Sequence, residues 1–177
     1  MTVALLKNKH HMLPVTLQSM TGQKPTLENS VHYIAYTFSF LLSGKDTDGA
    51  FSLTHCFFRE GKAFVPPPHY HKFEDETFYI LEGEMEFHLG EKKFTAGAGE
   101  VVYLPKNVPH HFNIVSKTAK ALLLITPAGI EVVFREFSVP AQTLDLPPVP
   151  ELNPREEEFM AMKKRMDELG IVVMPQI

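Results

Sequence analysis

Between residues 31 and 137 the chain is a succession of short segments rich in β-branched and aromatic residues, each bounded by Gly, Pro, Asn or Lys-rich turns. These segments predict strands at residues 31–43, 50–59, 77–81, 84–89, 101–104, 110–115, 119–125 and 131–137. Regular short strands with Gly-containing connections are typical of a sandwich or barrel. The sequence therefore predicts an all-β body, with no helix of useful length before residue 150.

The composition changes after residue 138 to a proline-rich linker, which leads into a predicted helix at residues 155–169. Apolar residues within this helix recur every three or four positions and form one stripe, made of Phe159, Met162, Met166 and Leu169. Gly170 then ends the helix. We interpret the stripe as a packing face against the outside of the barrel or against a partner subunit.

Three parts of the chain follow from these patterns. Residues 1–30 are polar and irregular and read as an N-terminal arm, residues 31–138 as the barrel, and residues 139–177 as the linker with its helix. The whole length of 177 residues suits one domain that needs no structural metal or disulfide, so we expect any metal to serve function.

Charge and cysteine content exclude several classes of protein. The formal net charge of −4 gives no basic surface for nucleic acid. Cys56 is the one cysteine, so no intrachain disulfide can form, and a cytoplasmic location is the default expectation. The densest apolar runs, such as residues 121–125, are too short to span a bilayer, and the first residues lack a sustained apolar stretch. We therefore expect neither a signal peptide nor a membrane anchor.

Two histidines separated by one residue mark the most informative local pattern. On a strand, His69 and His71 point to the same face, roughly 6 to 7 Å apart, so both can reach one ion. Glu76 lies five residues beyond His71, an odd offset that would place it on the opposite face of an unbroken strand. We therefore predict a turn at residues 72–75 and a returning strand, so that one hairpin supplies three ligands.

A third imidazole follows Pro105, where His110 and His111 are adjacent. On a strand these two side chains point to opposite faces, so only one of them can join the centre. Register with Pro105 favours His110. In the first stretch, Glu74 and Asp75 are the alternatives to Glu76.

These two stretches resemble the paired motifs of the cupins, G-x5-H-x-H-x4-E-x6-G and G-x5-P-x-G-x2-H-x3-N. His69, His71, Glu76 and Gly83 match the first motif, and Gly61 lies two residues further upstream than the pattern asks. Gly99, Pro105 and His110 match the second motif, in which Asn107 replaces a glycine and Asn113 comes one residue early. Asn is the next most tolerant residue for a left-handed conformation, so the first of these departures is mild.

Within the cupins, the sequence is similar to single-domain bacterial proteins of the quercetin 2,3-dioxygenase type in its Pro-Pro-Pro-His-x-His run and in residues 126–129. The resemblance covers residues 31–138. It implies a jelly-roll barrel that binds one divalent transition-metal ion through His69, His71, Glu76 and His110, often as a homodimer. The ligand types suit Fe, Mn, Ni, Co, Cu or Zn equally.

The resemblance further implies a dioxygenase that combines dioxygen with a small enol or phenol such as a flavonol. Glu76 would then act as a general base toward a substrate hydroxyl as well as a ligand. Two alternatives stay open, a metal-containing module that binds a small molecule without catalysis and a cupin isomerase.

Four apolar residues share strand parity with Glu76 or His110, which predicts that they face the barrel interior near the metal. They are Phe78, Ile80, Phe112 and Ile114. Core packing and the lining of an apolar substrate pocket are compatible roles for them.

Overall fold

The computed structural model describes residues 22–61, 66–149 and 156–174, which form twelve strands, two α-helices and a short 3-10 turn. The strands are β1 (Ser30–Tyr33), β2 (Tyr36–Leu42), β3 (Ser52–Arg59), β4 (His69–His71), β5 (Asp75–Glu82), β6 (Glu84–Leu89), β7 (Lys92–Gly97), β8 (Val101–Leu104), β9 (His110–Ile114), β10 (Thr118–Thr126), β11 (Val139–Pro140) and β12 (Ile171–Val173). The helices are α1 (Glu131–Glu136) and α2 (Glu156–Glu168), and the 3-10 turn is Leu27–Asn29.

The strands form two antiparallel sheets that face each other. One has seven strands in the order β11-β1-β2-β3-β10-β5-β8, and the other has five in the order β12-β4-β9-β6-β7. Aromatic side chains meet between the sheets, since the ring of Phe112 on β9 lies 5.4 Å from that of Phe58 and 5.5 Å from that of Phe78. This is an all-β jelly roll with a C-terminal helix, as predicted.

Alternation along the strands explains which side chains fill the core. In β3 every second residue is buried, and β10 repeats the pattern with the opposite phase at its start. Because successive side chains on a strand point to opposite faces, this period of two leaves one face of each sheet for the core. The ligand residues lie on that interior face.

The predicted strand at residues 31–43 is wrong as a single element, because the chain turns within it. Tyr33 pairs with Tyr36, so β1 and β2 form a tight hairpin, and Ile34 takes a positive φ of 57°. A β-branched residue is an unusual occupant of that conformation. The sequence therefore carried none of the Gly, Asn or Asp residues by which such a turn is recognised.

The predicted strand at residues 131–137 is also wrong, because this segment forms α1, a helix of six residues before residue 150. Its Val-Val pair favours a strand, yet the apolar residues follow helical spacing. Ile130 and Val133 are buried, and Phe134 and Phe137 pack against the same core. Positions 130, 133, 134 and 137 lie on one face of a helix, so tertiary packing decides the conformation.

Strands β7, β11 and β12 lie at sheet edges, and the sequence predicted none of them. Strand β7 begins Lys92-Lys93 and is exposed along most of its length. Lysines on an edge strand prevent pairing with other chains, but they also remove the apolar alternation by which a strand is recognised. Strands β11 and β12 contain only two and three residues.

The segment that follows the barrel is bound to the seven-stranded sheet. Thr37 on β2 donates its hydroxyl hydrogen to the carbonyl of Asp145 at 2.7 Å, and Arg59 binds the carbonyl of Pro147. Helix α2 ends one residue before the end of the predicted helix at 155–169, whose first residue lies outside the described residues. Most of the predicted N-terminal arm, residues 1–21, also lies outside them. Within the described ranges, no helix has the length and apolar character needed to cross a membrane.

Gly83, between β5 and β6, is a position where any side chain should be costly. Its φ is +78°, and a Cβ there would lie 2.6 Å from Ser116 Oγ and 2.9 Å from Ala119 Cα. We expect Gly83→Ala to lower the free energy of unfolding, measured in urea, by more than the roughly 1 to 2 kcal/mol of left-handed backbone strain alone. Gly49→Ala, with φ +79° and no atom within 4 Å, is the matched control. Equal losses in the two variants would contradict this reading.

Candidate metal centre

Three imidazoles and one carboxylate converge in the space between the two sheets. Strand β4 supplies His69 and His71, β9 supplies His110, and β5 supplies Glu76. All four residues are buried, and one ligand atom from each lies within 4.8 Å of the others. The three histidines therefore come from the five-stranded sheet and the glutamate from the seven-stranded sheet.

The histidines are neighbours because of strand pairing. His69 pairs directly with His110 across β4 and β9, and their ring centroids are 4.7 Å apart. The His71 ring lies 5.1 Å from that of His69 and 5.3 Å from that of His110. The H-x-H spacing thus aims both β4 histidines at the interior, as strand geometry requires.

The predicted hairpin of three ligands is wrong, although the ligands meet. Strand β4 pairs with β12 and β9, whereas β5 pairs with β10 and β8 in the other sheet. Residues 72–74 therefore cross from one sheet to the facing one. Such a crossing also turns Glu76 back toward His71, and the odd offset alone cannot distinguish it from a hairpin.

The distances within the group suit one transition-metal ion. Glu76 places its Oε1 3.5 Å from His71 Nε2 and its Oε2 3.5 Å from His110 Nε2. Ligands about 2.1 Å from one ion are roughly 3 to 3.5 Å from their neighbours. The carboxylate and these two imidazoles already have nearly that separation.

Backbone carbonyls fix two of the three imidazoles. His69 Nδ1 lies 2.7 Å from the Pro67 carbonyl, and His110 Nδ1 lies 2.9 Å from the Val108 carbonyl. A carbonyl only accepts, so Nδ1 carries the hydrogen in both rings, and Nε2 is left to bind a metal. Sequence analysis missed these partners, which precede each histidine by two residues.

Unpartnered buried atoms provide the test of whether this set fits a metal. Nε2 of His71 and Nε2 of His110 are buried without a hydrogen-bond partner among the residues that the structure describes. A buried polar atom with no partner costs free energy, and these two lie on either side of a carboxylate. Nitrogen and oxygen donors in this arrangement fit a divalent transition metal.

Electrostatics keep most of the donors in their binding form. Burial lowers the pKa of His69 to about 4 and also lowers the pKa of His71, so both rings are neutral at pH 7. Burial alone would raise the pKa of Glu76, but His110 and the other histidines hold it at about 2. Burial opposes charge on His110 too, yet the adjacent Glu76 carboxylate raises its pKa. A metal ion at His110 Nε2 would therefore compete with protonation of that nitrogen.

The alternatives to the proposed ligands lie elsewhere. His111 points to the outer face of the five-stranded sheet, where its ring stacks on that of His88 at 4.2 Å. Asp75 accepts a hydrogen bond from the Lys106 amide at 2.8 Å. Glu74 is buried, but it does not belong to the group of converging ligand atoms.

The two asparagines of the second motif have different positions. Asn107 takes a φ of 62°, the left-handed conformation that its place in the motif predicts. Its backbone amide donates a hydrogen bond to the His71 carbonyl at 2.7 Å. Asn113 donates from its side chain to Glu86 Oε1 at 3.2 Å, away from the converging ligands. Asn107 thus connects the loop before β9 to the β4 ligand strand.

The four predicted lining residues are all core residues. Phe112 is 9% exposed and Ile114 5%, whereas Phe78 and Ile80 are almost fully buried. Phe78 and Phe112 are each two residues beyond a ligand, so they form the interior layer next to the centre. A pocket bounded by these residues stays a prediction.

The family model for the cupin domain matches residues 58–126, which include all four converging residues. Quercetin 2,3-dioxygenase from Bacillus subtilis is 27% identical over 128 residues, which cover 72% of this chain and 36% of that protein. An uncharacterised protein from Aquifex aeolicus is 31% identical over 61 residues, 34% of this chain and 50% of that protein. The chain thus spans no more than half the length of either relative.

Solved structures share the fold at low sequence identity. KdgF from a Halomonas species superposes with a TM-score of 0.54 at 16% identity, over 63% of this chain and 97% of that one. A predicted oxalate decarboxylase from Thermotoga maritima gives a TM-score of 0.52 at 22% identity, over 58% of this chain and 96% of that one. At these identities the likeness concerns the fold alone.

Adjacent histidines allow a matched test of the ligand set. We expect His110→Ala to weaken Co²⁺ binding by more than the roughly 10- to 100-fold that loss of an outer-shell partner costs, because it removes a direct ligand. His111→Ala, on the opposite face, should leave the affinity unchanged. Competition with a chelating dye measures both affinities. Similar losses in the two variants would exclude His110 as a ligand.

Metal binding should also stabilise the fold, since an ion that binds only the folded chain shifts the unfolding equilibrium. At a free Co²⁺ concentration 100 times the dissociation constant, we expect about 2.7 kcal/mol of stabilisation. That corresponds to roughly 5 to 10 °C in the melting temperature of a chain this long. Scanning calorimetry with and without a chelator measures the shift. An equal shift in the His110→Ala variant would mean that the ion binds elsewhere.

Proposed function

Because the chain belongs to the cupin superfamily, we propose that His69, His71, Glu76 and His110 hold one divalent transition-metal ion, and that the protein is a quercetinase-type dioxygenase. One observation carries the proposal. Two buried imidazole nitrogens without partners lie on either side of an ionised carboxylate, inside the barrel. A cation bound at the centre would offset the free-energy cost of burying these unpartnered nitrogens and the carboxylate.

Bound there, the ion would supply Lewis-acid and redox chemistry toward a coordinated oxygen. The protein residues then have separate roles. His69 and His110 hold fixed orientations through their Nδ1–H bonds to backbone carbonyls. Glu76 stays ionised, so its carboxylate can accept the proton of a substrate hydroxyl within hydrogen-bond reach.

An aromatic enol or phenol suits the surroundings of the centre. Phe78 and Phe112, each two residues beyond a ligand, are buried, and their rings pack 5.5 Å apart. Small-molecule sites are mainly apolar, with a few polar groups that fix orientation. A flat substrate with an ionisable hydroxyl would combine both requirements, and a flavonol is one such molecule.

Dioxygen is proposed as the second substrate because of the similarity to a named dioxygenase, and no side chain of the centre indicates it by itself. The Bacillus subtilis relative is a quercetin 2,3-dioxygenase by name, and this chain matches 36% of its length. Dioxygenase activity is therefore the proposed function. The two alternatives are catalysis of an isomerisation and binding of a small molecule without catalysis.

A homodimer and a cytoplasmic location complete the proposal. Strand β1 is already paired with β2 and β11, whereas the start of α2 exposes Phe159 and Met160 to a partner. Tyr79 and Tyr103 are also exposed, on the outer face of the seven-stranded sheet. Sedimentation equilibrium measures the oligomeric state directly.

The proton-accepting role of Glu76 can be separated from its role as a ligand. We expect Glu76→Gln, loaded with metal, to lose roughly 100- to 10,000-fold in turnover, because an amide cannot take the hydroxyl proton. Glu82→Gln is the control, since Glu82 lies on the same strand, is exposed and pairs with Lys120. Metal content is measured in both. Full metal content with unchanged turnover in Glu76→Gln would rule out the base.

Dioxygen consumption distinguishes the candidate functions. Protein loaded in turn with each of Fe, Mn, Ni, Co, Cu and Zn is mixed with flavonols and small enediols in an oxygen electrode. We expect consumption with at least one pairing, and none with the His110→Ala variant. Conversion of a substrate without oxygen uptake would instead indicate an isomerase. Saturable binding with no conversion would indicate a binding module.

A further inference from the structure

Strand β4 carries two of the histidines. Most of its backbone pairing is with residues 169–174, which come after the barrel in the sequence. We propose that these residues, which we call the closing segment, position β4 for metal binding, and that Gly170 is their critical residue. The inference rests on the proposed metal centre. It assigns a function to a part of the chain that lies outside both ligand motifs.

Pairing on this side of β4 is complete. Strand β12 pairs with all three β4 residues, with Ile171 opposite His71 and Val173 opposite His69. Two further hydrogen bonds extend the pairing, from the Lys72 amide to the Gly170 carbonyl at 3.0 Å and from the Met174 amide to the Pro68 carbonyl at 2.8 Å. The ligand strand is therefore held over its whole length and beyond each end.

Pairing on the other side is sparse. Strand β9 pairs with β4 only through His69 and His110. His71 is left with one backbone contact on that side, from the Asn107 amide to its carbonyl. The closing segment is thus the larger constraint on where His71 lies.

His71 depends on this constraint more than the other ligands do. Within the described part of the chain, neither of its ring nitrogens has a hydrogen-bond partner, whereas His69 and His110 are each anchored by a carbonyl. Its orientation therefore follows from backbone placement and packing alone. Ile171, which pairs with His71, is only 1% exposed and belongs to the main core.

Gly170 permits this close approach. Its φ is +81°, and a Cβ there would lie 2.6 Å from Phe73 Cε2 and 3.3 Å from Lys72 Cβ. Phe73 is 58% exposed, so its ring covers the glycine without being part of the core. A side chain at position 170 would displace the Phe73 ring and press against Lys72, within the link between His71 and Glu76.

The closing segment is itself fixed to the body. Arg165 in the last turn of α2 forms two hydrogen bonds to the Glu136 carboxylate, at 2.8 and 3.1 Å. Met162 and Met166 pack against the core. A displacement at Gly170 should therefore be transmitted to β4 rather than absorbed by the helix.

The test measures Co²⁺ affinity and the visible absorption of bound Co²⁺, which reports ligand geometry. We expect Gly170→Ala to weaken affinity by roughly 10- to 100-fold, as loss of an outer-shell support does, and to alter the spectrum. Gly49→Ala, outside both motifs, is the control. Its φ is +79° with no atom within 4 Å, so it introduces the same backbone strain without a clash. Its affinity and spectrum should match those of the unmutated protein.

Removal of the clashing ring should restore binding. We expect Phe73→Ala combined with Gly170→Ala to return the affinity to within about threefold of Phe73→Ala alone, because the two sites are directly coupled. Absence of this rescue would show that the loss does not arise from the contact between positions 170 and 73, and would overturn the inference.

Hydrogen exchange on the unmutated protein provides a test that no folding defect can obscure. Coupling between two sites is reciprocal, so Co²⁺ should slow amide exchange in β12 more than in β7, the opposite edge of the same sheet. Equal slowing at both edges would contradict the inference.

If the unmutated protein fails to bind any transition metal, the proposed function is overturned. If it binds Co²⁺ but Gly170→Ala behaves like Gly49→Ala, only the inference is overturned.

Discussion

The burial of one carboxylate opposite three imidazoles is the constraint on which the rest of this structure depends. An ionised group inside a protein needs compensation, and Glu76 receives it from histidines on the facing sheet. Each sheet must therefore present its ligands at a fixed register and depth. The left-handed turn at Asn107, the carbonyl anchors of His69 and His110, and the pairing of β12 with β4 all contribute to that placement. The core around the centre is aromatic, which keeps water from weakening these electrostatic interactions.

The sequence predicted which residues converge, but it did not predict the strand pairing that brings them together. The H-x-H spacing directs two side chains to one face whatever the topology, so the positions of His69 and His71 follow from strand geometry. Parity likewise separates His110 from His111. The sheet that supplies Glu76 could not be predicted, because a hairpin and a crossing between sheets both turn Glu76 back toward His71. Only the pairing of β5 with β10 and β8, set by contacts distant in sequence, distinguishes the two.

The elements that sequence reasoning missed share a physical cause, since each owes its conformation to tertiary contacts. Helix α1 forms because Ile130 and Val133 face the core, although valine pairs favour strands. Ile34 accepts a positive φ because β1 and β2 must reverse within two residues. Strand β7 is formed by pairing with β6, while its lysines face solvent. Local propensity has the wrong sign or no signal in all three cases.

The pairing of β12 with β4 has a consequence for the order in which the protein is made. The ligand histidines of β4 are synthesised before the strand that completes their sheet, and the two strands are separated by a hundred positions, as between His71 and Ile171. At translation rates of about 5 to 20 residues per second, this interval lasts roughly 5 to 20 s. All four residues of the proposed metal centre are present on the nascent chain only after His110, so they wait roughly 3 to 12 s before β4 gains its neighbour. An ion that requires β4 in its paired position would therefore bind only after the barrel is closed.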